Sequence, residues 1–299
     1  MRYVLFGDGI WAANSLRLLV ENGSEIIAVV GRVQSSNDSL QLMATELKLP
    51  YHVFERVNES SAVEAVRACN ADLHISVSYD QILRSPIRQT AQQGFINCHA
   101  GMLPYYRGRN VINWAIINNE SQLGITVHFV DDGIDTGDIL LQDAVPIHWE
   151  DTYAEVLASV QTAIPPLIVR SVRLIEQGRA SRTPQNHLLG TYFARRIPGD
   201  EYIDWRDTSL NIYNKIRAIT HPGPGARSAL QGRPLVIWQA EYDLDWPKYL
   251  ATPGEVVGHT VDRCVRVKTG DSTIVLRSLQ LEDEDEVGVP GFRIGTRLG

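Results

Sequence analysis

Asn97-Cys98-His99 sets an amide and an imidazole two residues apart. On a strand, residues i and i+2 project from one face, so Asn97 and His99 point together and Cys98 points away. An amide N–H beside an imidazole can stabilise a developing oxyanion and manage a proton during acyl transfer. The same alternation argues against a Cys98–His99 nucleophile pair and reads Cys98 as core packing. Downstream, Gly133-Ile134-Asp135-Thr136-Gly137-Asp138 brackets two carboxylates between glycines. A buried carboxylate there can orient His99 and keep it protonated. By composition alone the segment reads as an Asp-Gly turn between strands.

A second candidate is Gly7-Asp8-Gly9, with Ala12 where a dinucleotide fingerprint wants its third glycine. The acid expected after the second strand, for a ribose hydroxyl, is replaced by Gly31-Arg32. The first reading is a tight strand-to-helix turn. Arg32 facing a 2′-phosphate keeps an NADP-dependent oxidoreductase open as an alternative.

The elements that must carry these residues alternate. Tyr3–Phe6 and Ile125–Val130 are short apolar segments, and together with Ile26–Val30, Leu73–Val77 and Phe95–Cys98 they read as strands. Between them Ile10–Val20 and Leu40–Leu47 repeat apolar residues at helical spacing, and Ser61 with Glu64 suggests a capping box for a third helix. This rhythm predicts a Rossmann-like, mostly parallel sheet with helices on both faces, and sites at the carboxyl ends of its strands. A helix from Thr152, with Glu155 in its first turn, should reach Glu176 and be kinked or split at Pro165-Pro166. A helix over Leu210–Ile219 stops at His221-Pro222-Gly223-Pro224-Gly225. Short strand candidates follow at Leu235–Trp238, Glu255–Val257, Cys264–Val267 and Ile274–Leu279, and predict a small OB-like β-barrel. The expected division is a catalytic domain over 1–189, a connection over 190–206 and the β domain over 207–299.

Composition is that of an ordinary globular protein, with 44% hydrophobic and 21% charged residues. The net charge of −7 disfavours a broad phosphate-binding surface. Cys69, Cys98 and Cys264 are an odd, scattered set without a CxxC pair. They fit a reducing compartment and supply no disulfide or metal framework. The start of the chain is too short in apolar residues for a signal-peptide core, and no run reaches a membrane span, so the expected location is cytoplasmic. A homodimer is left open.

From Phe95 to Leu140 the chain resembles the folate-dependent formyltransferases. Their pattern of Asn-x-His, LeuPro-x-x-ArgGly and AspThrGly-Asp stands here as Asn97-Cys98-His99, Leu103-Pro104-Tyr105-Tyr106-Arg107-Gly108 and Asp135-Thr136-Gly137-Asp138. Trp114-Ala115-Ile116 and Gly124-Ile125-Thr126 are also typical, and several motifs in order make a specific signal. Phe193–Pro198, Ile203-Asp204-Trp205 and Arg217-Ala218 look like the family's entry to its second domain. One departure is Ala100-Gly101, where many members carry Gly-Ser. The resemblance implies that Asn97, His99 and Asp135 are the catalytic trio and that 10-formyltetrahydrofolate is the formyl donor. It implies a pterin near Tyr79, Ile82 and Leu83 and near Met102 and Leu103.

Within that family the acceptor is methionyl-tRNA, a nucleotide-linked amino sugar or glycinamide ribonucleotide, and water replaces it in a hydrolase branch that usually carries a preceding regulatory domain. Residues 207–299 hold eleven Lys/Arg against twelve Asp/Glu, and the basic insertion of the tRNA branch is missing after the second strand. Tyr192–Pro198 is most similar to the aminoarabinose formyltransferase domain. The expectation is therefore an amino-sugar acceptor and no nucleic acid, with Arg109, Tyr192, Arg195 and Arg196 at the substrate and the arginines clamping a diphosphate. Methionyl-tRNA is the alternative.

Overall fold

A computed structural model of the 299-residue chain describes every residue except Ser36, Asp283, Val289 and Pro290. The acidic run Glu282–Glu286 thus lies partly outside the described residues. The chain divides into two compact units, one built from 1–111, 123–145 and 158–193, the other from 112–122, 146–157 and 194–299.

In chain order the first elements are β1 (Arg2–Gly7), α1 (Gly9–Glu21), β2 (Glu25–Gly31), α2 (Ser39–Glu46), β3 (Tyr51–Val53), α3 (Ser60–Ala68), β4 (Leu73–Val77), α4 (Ser85–Arg88) and β5 (Phe95–His99). They are followed by β6 (Arg107–Gly108), α5 (Val111–Ile117), β7 (Gln122–Phe129), β8 (Ile139–Pro146), α6 (Tyr153–Glu176) and β9 (Tyr192–Phe193). Seven strands form one sheet in the order β3-β2-β1-β4-β5-β7-β8. β1, β2, β3, β4 and β5 pair in parallel, while β7 runs antiparallel to β5. The strands are buried on both faces: β1 buries Val4, Leu5 and Phe6, while β4 buries Leu73, Ile75 and Val77 on one face and His74 and Ser76 on the other. That is what a sheet covered on two sides demands. The strand order reverses around β1, the place where open α/β sheets leave a crevice at their carboxyl ends.

Two local expectations change. Glu59 precedes the first turn of α3 in extended conformation, so Ser61 lies inside the helix and forms no capping box with Glu64. The α6 helix runs unbroken from Tyr153 to Glu176 through Pro165 and Pro166. Val160, Ile164, Leu167, Ile168 and Val172 are buried along it; this apolar face offsets the two lost N–H donors. Its start is a capping box: Thr152 N–H donates to Glu155 Oε2 at 2.8 Å, and Ala154 N–H donates to Thr152 Oγ1 at 3.2 Å.

The second unit carries α7 (Ser209–Ile219), β10 (Ala226–Leu230), β11 (Arg233–Glu241), β12 (Val256–His259), β13 (Val265–Lys268), β14 (Thr273–Leu281) and β15 (Val287–Gly288). Its sheet is antiparallel, ordered β10-β11-β14-β13-β12, with β15 on β14. The two short segments 112–122 and 146–157 are integral to this unit. Asn113 donates to the Ala218 carbonyl at 2.6 Å. Trp149 stacks on Tyr213, with centroids 5.1 Å apart. Arg217, 5% exposed, donates to the carbonyls of His148 and Asp151. Among the described residues no helix is long and apolar enough to cross a membrane.

Candidate active site

The antiparallel register of β5 on β7 places Asn97 opposite His128 and His99 opposite Thr126. Directly paired residues share a face, so these four side chains line one side of the sheet. Thr126 anchors the chain that leaves β5: its hydroxyl donates to the Gly101 carbonyl at 2.7 Å and accepts from Leu103 N–H at 3.2 Å. Gln142 closes that loop from β8, donating to the Leu103 carbonyl at 2.9 Å.

The turn after β7 brings Asp135 onto this face. One carboxylate oxygen lies 3.6 Å from His99 Nδ1 and the other 3.5 Å from His128 Nε2. The first also accepts the Gly108 N–H at 2.9 Å. Asp135 is a non-glycine residue at φ 54°, a left-handed conformation that costs roughly 1–2 kcal/mol and has to be held by its surroundings. Gly108 is fixed by two requirements. Its φ is 97°, and a Cβ there would sit 2.2 Å from the Phe193 carbonyl oxygen across the β6–β9 pair.

Hydrogen bonding assigns the protons. A carbonyl only accepts, so His128 Nδ1, 2.9 Å from the Phe129 carbonyl, carries its hydrogen. In the neutral ring, Nε2 then accepts from Asn97 Nδ2 at 3.2 Å. His99 Nε2 likewise donates to the Tyr106 carbonyl at 2.6 Å. That leaves His99 Nδ1, facing Asp135, as the position where a second proton makes the ring cationic. Burial pushes the Asp135 carboxyl up, but His99, the adjacent His128 ring and the Gly108 N–H outweigh it and hold the group well below the usual carboxylate range. The arrangement is an ionised carboxylate between two imidazoles, with an amide alongside.

His128 is a site residue that the strand pattern did not single out. Its signal was present: one histidine interrupts the apolar run Ile125–Val130, opposite Asn97 once β7 pairs with β5. Cys98 points to the other face, is buried, and has its thiol pushed up by burial.

The residues expected near a pterin differ in exposure. Leu83 and Leu103 are buried, and Tyr79 packs edge-on against Phe6 at the border of the core. Met102 is half-buried, and Ile82 is exposed beside Gln81 and Arg84 in a shallow depression. Arg109 donates from its side chain to the Asp80 carbonyl and from its backbone to the Phe193 carbonyl. The Tyr192 hydroxyl accepts from Arg107. Arg195 and Arg196 belong to the second unit. Arg195 is exposed, and Arg196 is half-buried with its charge acting on the Tyr153 hydroxyl. The dinucleotide alternative meets a like charge: the buried Asp8 carboxylate stands at the N-terminus of α1, where a pyrophosphate would have to lie. Arg32 is already paired with Asp8 at 3.0 Å and Asp80 at 3.1 Å.

Residues 1–172 match the sequence profile of the formyl transferase family, and residues 197–296 match the profile of the formyl transferase C-terminal domain. Among curated proteins, the methionyl-tRNA formyltransferase of Syntrophus aciditrophicus is 33% identical, with 99% of this chain and 96% of that protein covered. The methionyl-tRNA formyltransferase of Desulforamulus reducens is 31% identical over 100% of this chain and 96% of its own length. Among solved structures, an N-formyltransferase from Helicobacter canadensis, in complex with folinic acid and dTDP-3-aminofucose, superposes with a TM-score of 0.70 at 22% identity, covering 92% of this chain and 98% of that one.

These relatives correct the amino-sugar expectation and its exclusion of nucleic acid. Full-length similarity at 31–33% is to enzymes named for methionyl-tRNA, whereas the sugar enzyme shares the fold at lower identity. Net charge sums a whole surface and does not decide the acceptor, since tRNA affinity depends on where a few cations stand. Both domain profiles in order, over a site of Asn97, His99, His128 and Asp135, place this chain in the formyl transferase family.

Proposed function

We propose that this chain transfers the formyl group of 10-formyltetrahydrofolate to the amine of methionyl-tRNA. The observation that carries the chemistry is the Asp135 carboxylate held between His99 and His128 beside Asn97. The acceptor is supported by the full-length similarity to methionyl-tRNA formyltransferases. The buried Tyr79 hydroxyl has no hydrogen-bond partner among the described residues, and the loop after β4 thus has a polar atom to offer a pterin. Ile82 and Met102 are the proposed contacts, with Leu83 and Leu103 packing beneath. The folate supplies the electrophilic formyl carbon. Asn97 and His99 donate to the oxygen on which negative charge develops, His99 exchanging the Tyr106 carbonyl for it. One such donor lowers the barrier by roughly 3 kcal/mol.

A carboxyl held so far below its usual range is a weak base, so Asp135 acts as a fixed negative charge beside the imidazoles; as the amine nitrogen bonds to the formyl carbon, an imidazole takes its proton and returns one to N10 of the folate, whose bond to that carbon breaks. Arg109, Tyr192, Arg195 and Arg196 are proposed to contact the acceptor, the arginines through backbone phosphates. The test is direct. Purified chain is given 10-formyltetrahydrofolate with methionyl-tRNA, glycinamide ribonucleotide and nucleotide-linked amino sugars in separate reactions, and products are weighed. Formyl-methionyl-tRNA is expected; a formylated product from another acceptor alone would overturn the acceptor and leave the trio standing.

A further inference from the structure

Three successive residues of one loop each grip a different part of the site. The Tyr106 carbonyl takes His99 Nε2–H, the Gly108 N–H binds Asp135 Oδ2, and between them the Arg107 side chain turns inward. Arg107 is 1% exposed. Its guanidinium donates to Gln185 Oε1 from Nε at 3.2 Å and from a terminal nitrogen at 2.6 Å, to Tyr192 Oη at 2.9 Å and to His187 Nδ1 at 3.2 Å. Among the described residues none of these partners is a carboxylate. The buried cation is solvated by neutral acceptors, and Gln185 provides two of its bonds.

Gln185 is itself 6% exposed and uses all of its hydrogen-bonding capacity. Its Nε2 donates to the Asp135 carbonyl at 3.0 Å and to the Gly137 carbonyl at 2.7 Å. The amide has one orientation only, because a guanidinium has no acceptor and a carbonyl has no donor. These bonds clamp the backbone on both sides of Thr136, within the turn whose left-handed Asp135 needs holding.

We propose that Gln185 is a positioning residue, through which the buried Arg107 guanidinium and its loop hold the Asp135 turn against His99. It touches no reacting atom. It ties the loop that binds His99 and the Asp135 carboxylate to the backbone that aims that carboxylate. The inference rests on the reading that Asp135 acts in formyl transfer.

The groups facing the Asp135 carboxylate are His99 from β5, His128 from β7 and the Gly108 N–H from β6. If the turn relaxes, these partners recede and the carboxyl titrates at higher pH. Gln185→Met keeps the length and removes all four bonds. Gln185→Glu keeps an acceptor for Arg107, which protects the fold, and removes the two donated bonds. The full chain carrying each change is assayed with 10-formyltetrahydrofolate and methionyl-tRNA across pH, beside a melting curve. We expect kcat to fall about tenfold to a hundredfold in both variants, KM to change by less than about threefold, and the Gln185→Glu melting temperature to stay near wild type. A merely structural glutamine would lower the melting temperature and leave kcat of the folded variant in place. Wild-type turnover in folded Gln185→Glu overturns the proposal. Asp135→Asn separates the two readings: if it retains wild-type turnover, the role of Asp135 itself falls.

Discussion

The Asp135 carboxylate, lying within 3.6 Å of two imidazole nitrogens, concentrates the electrostatics of the site in one side chain. Its folded pKa is depressed, so the unfolded chain binds the proton more readily and stability rises with pH through that range. The contribution is fully present above the unfolded value of about 4 and is lost as pH falls below it. Asp135→Asn should therefore flatten the acid end of the stability–pH curve, read by denaturant melts from about pH 5 downward. It should also cut turnover about a hundredfold or more, as should His99→Ala; near-normal turnover in a folded variant would remove that residue from the mechanism. Cys98→Ala is the internal control. Its side chain leaves the opposite face of β5, so turnover should stay within about threefold even if packing costs about 1 kcal/mol.

His74 shows the same reasoning inside a strand. It is fully buried on β4 between Phe6 and Phe95. The Thr90 hydroxyl donates to the Ile87 carbonyl, so it must accept from His74 Nε2, and Nδ1 has no partner among the described residues. Burial lowers the pKa of His74 from 6.5 to about 3. Between those values the unfolded chain binds a proton that the folded chain refuses, so stability falls by about 1.4 kcal/mol per pH unit on acidification. His74→Leu should remove that slope, since Thr90 keeps its bond to Ile87; an unchanged slope would assign it elsewhere. At the start of α6, Thr152→Ala should cost about 1 kcal/mol by melting, through loss of the cap. Elements that bury both faces were legible in the sequence: β1 carries an unbroken apolar run, and β4 and β5 set apolar residues at alternate or adjacent positions between turn signals. The strands β3, β8 and β10 were not, because they alternate weakly and gain order from their neighbours. Pro165-Pro166 does not split α6 because a helix-breaking rule weighs only the local backbone, and His128 was passed over because its partner is set by strand pairing. Asn97, His99 and Asp135 were legible through alternation and motif order, whereas the acceptor depends on a surface that no short motif encodes.

At the scale of the molecule, the proposed tRNA acceptor would be held by where the 28 Lys and Arg stand, and not by the net charge of −7. Each phosphate contact contributes roughly one unit to the salt slope. The logarithm of the binding constant for methionyl-tRNA should therefore fall linearly with log salt, measured by filter binding; salt-independent binding would remove the phosphate contacts. Stabilisation by 5-formyltetrahydrofolate without stabilisation by NADP is the matching expectation from thermal shift. The path of the chain has a further consequence for modularity. The second unit draws on 112–122 and 146–157 as well as 194–299, and the partners of Ala218, Tyr213 and Arg217 come from those two short stretches. A recombination point at 193/194, the obvious seam for swapping C-terminal domains between relatives, would separate Arg217 from its native acceptors and leave it facing a stranger's loops. Chimeras should work only when all three stretches are exchanged together. The piece 194–299 made alone should lack a cooperative thermal transition.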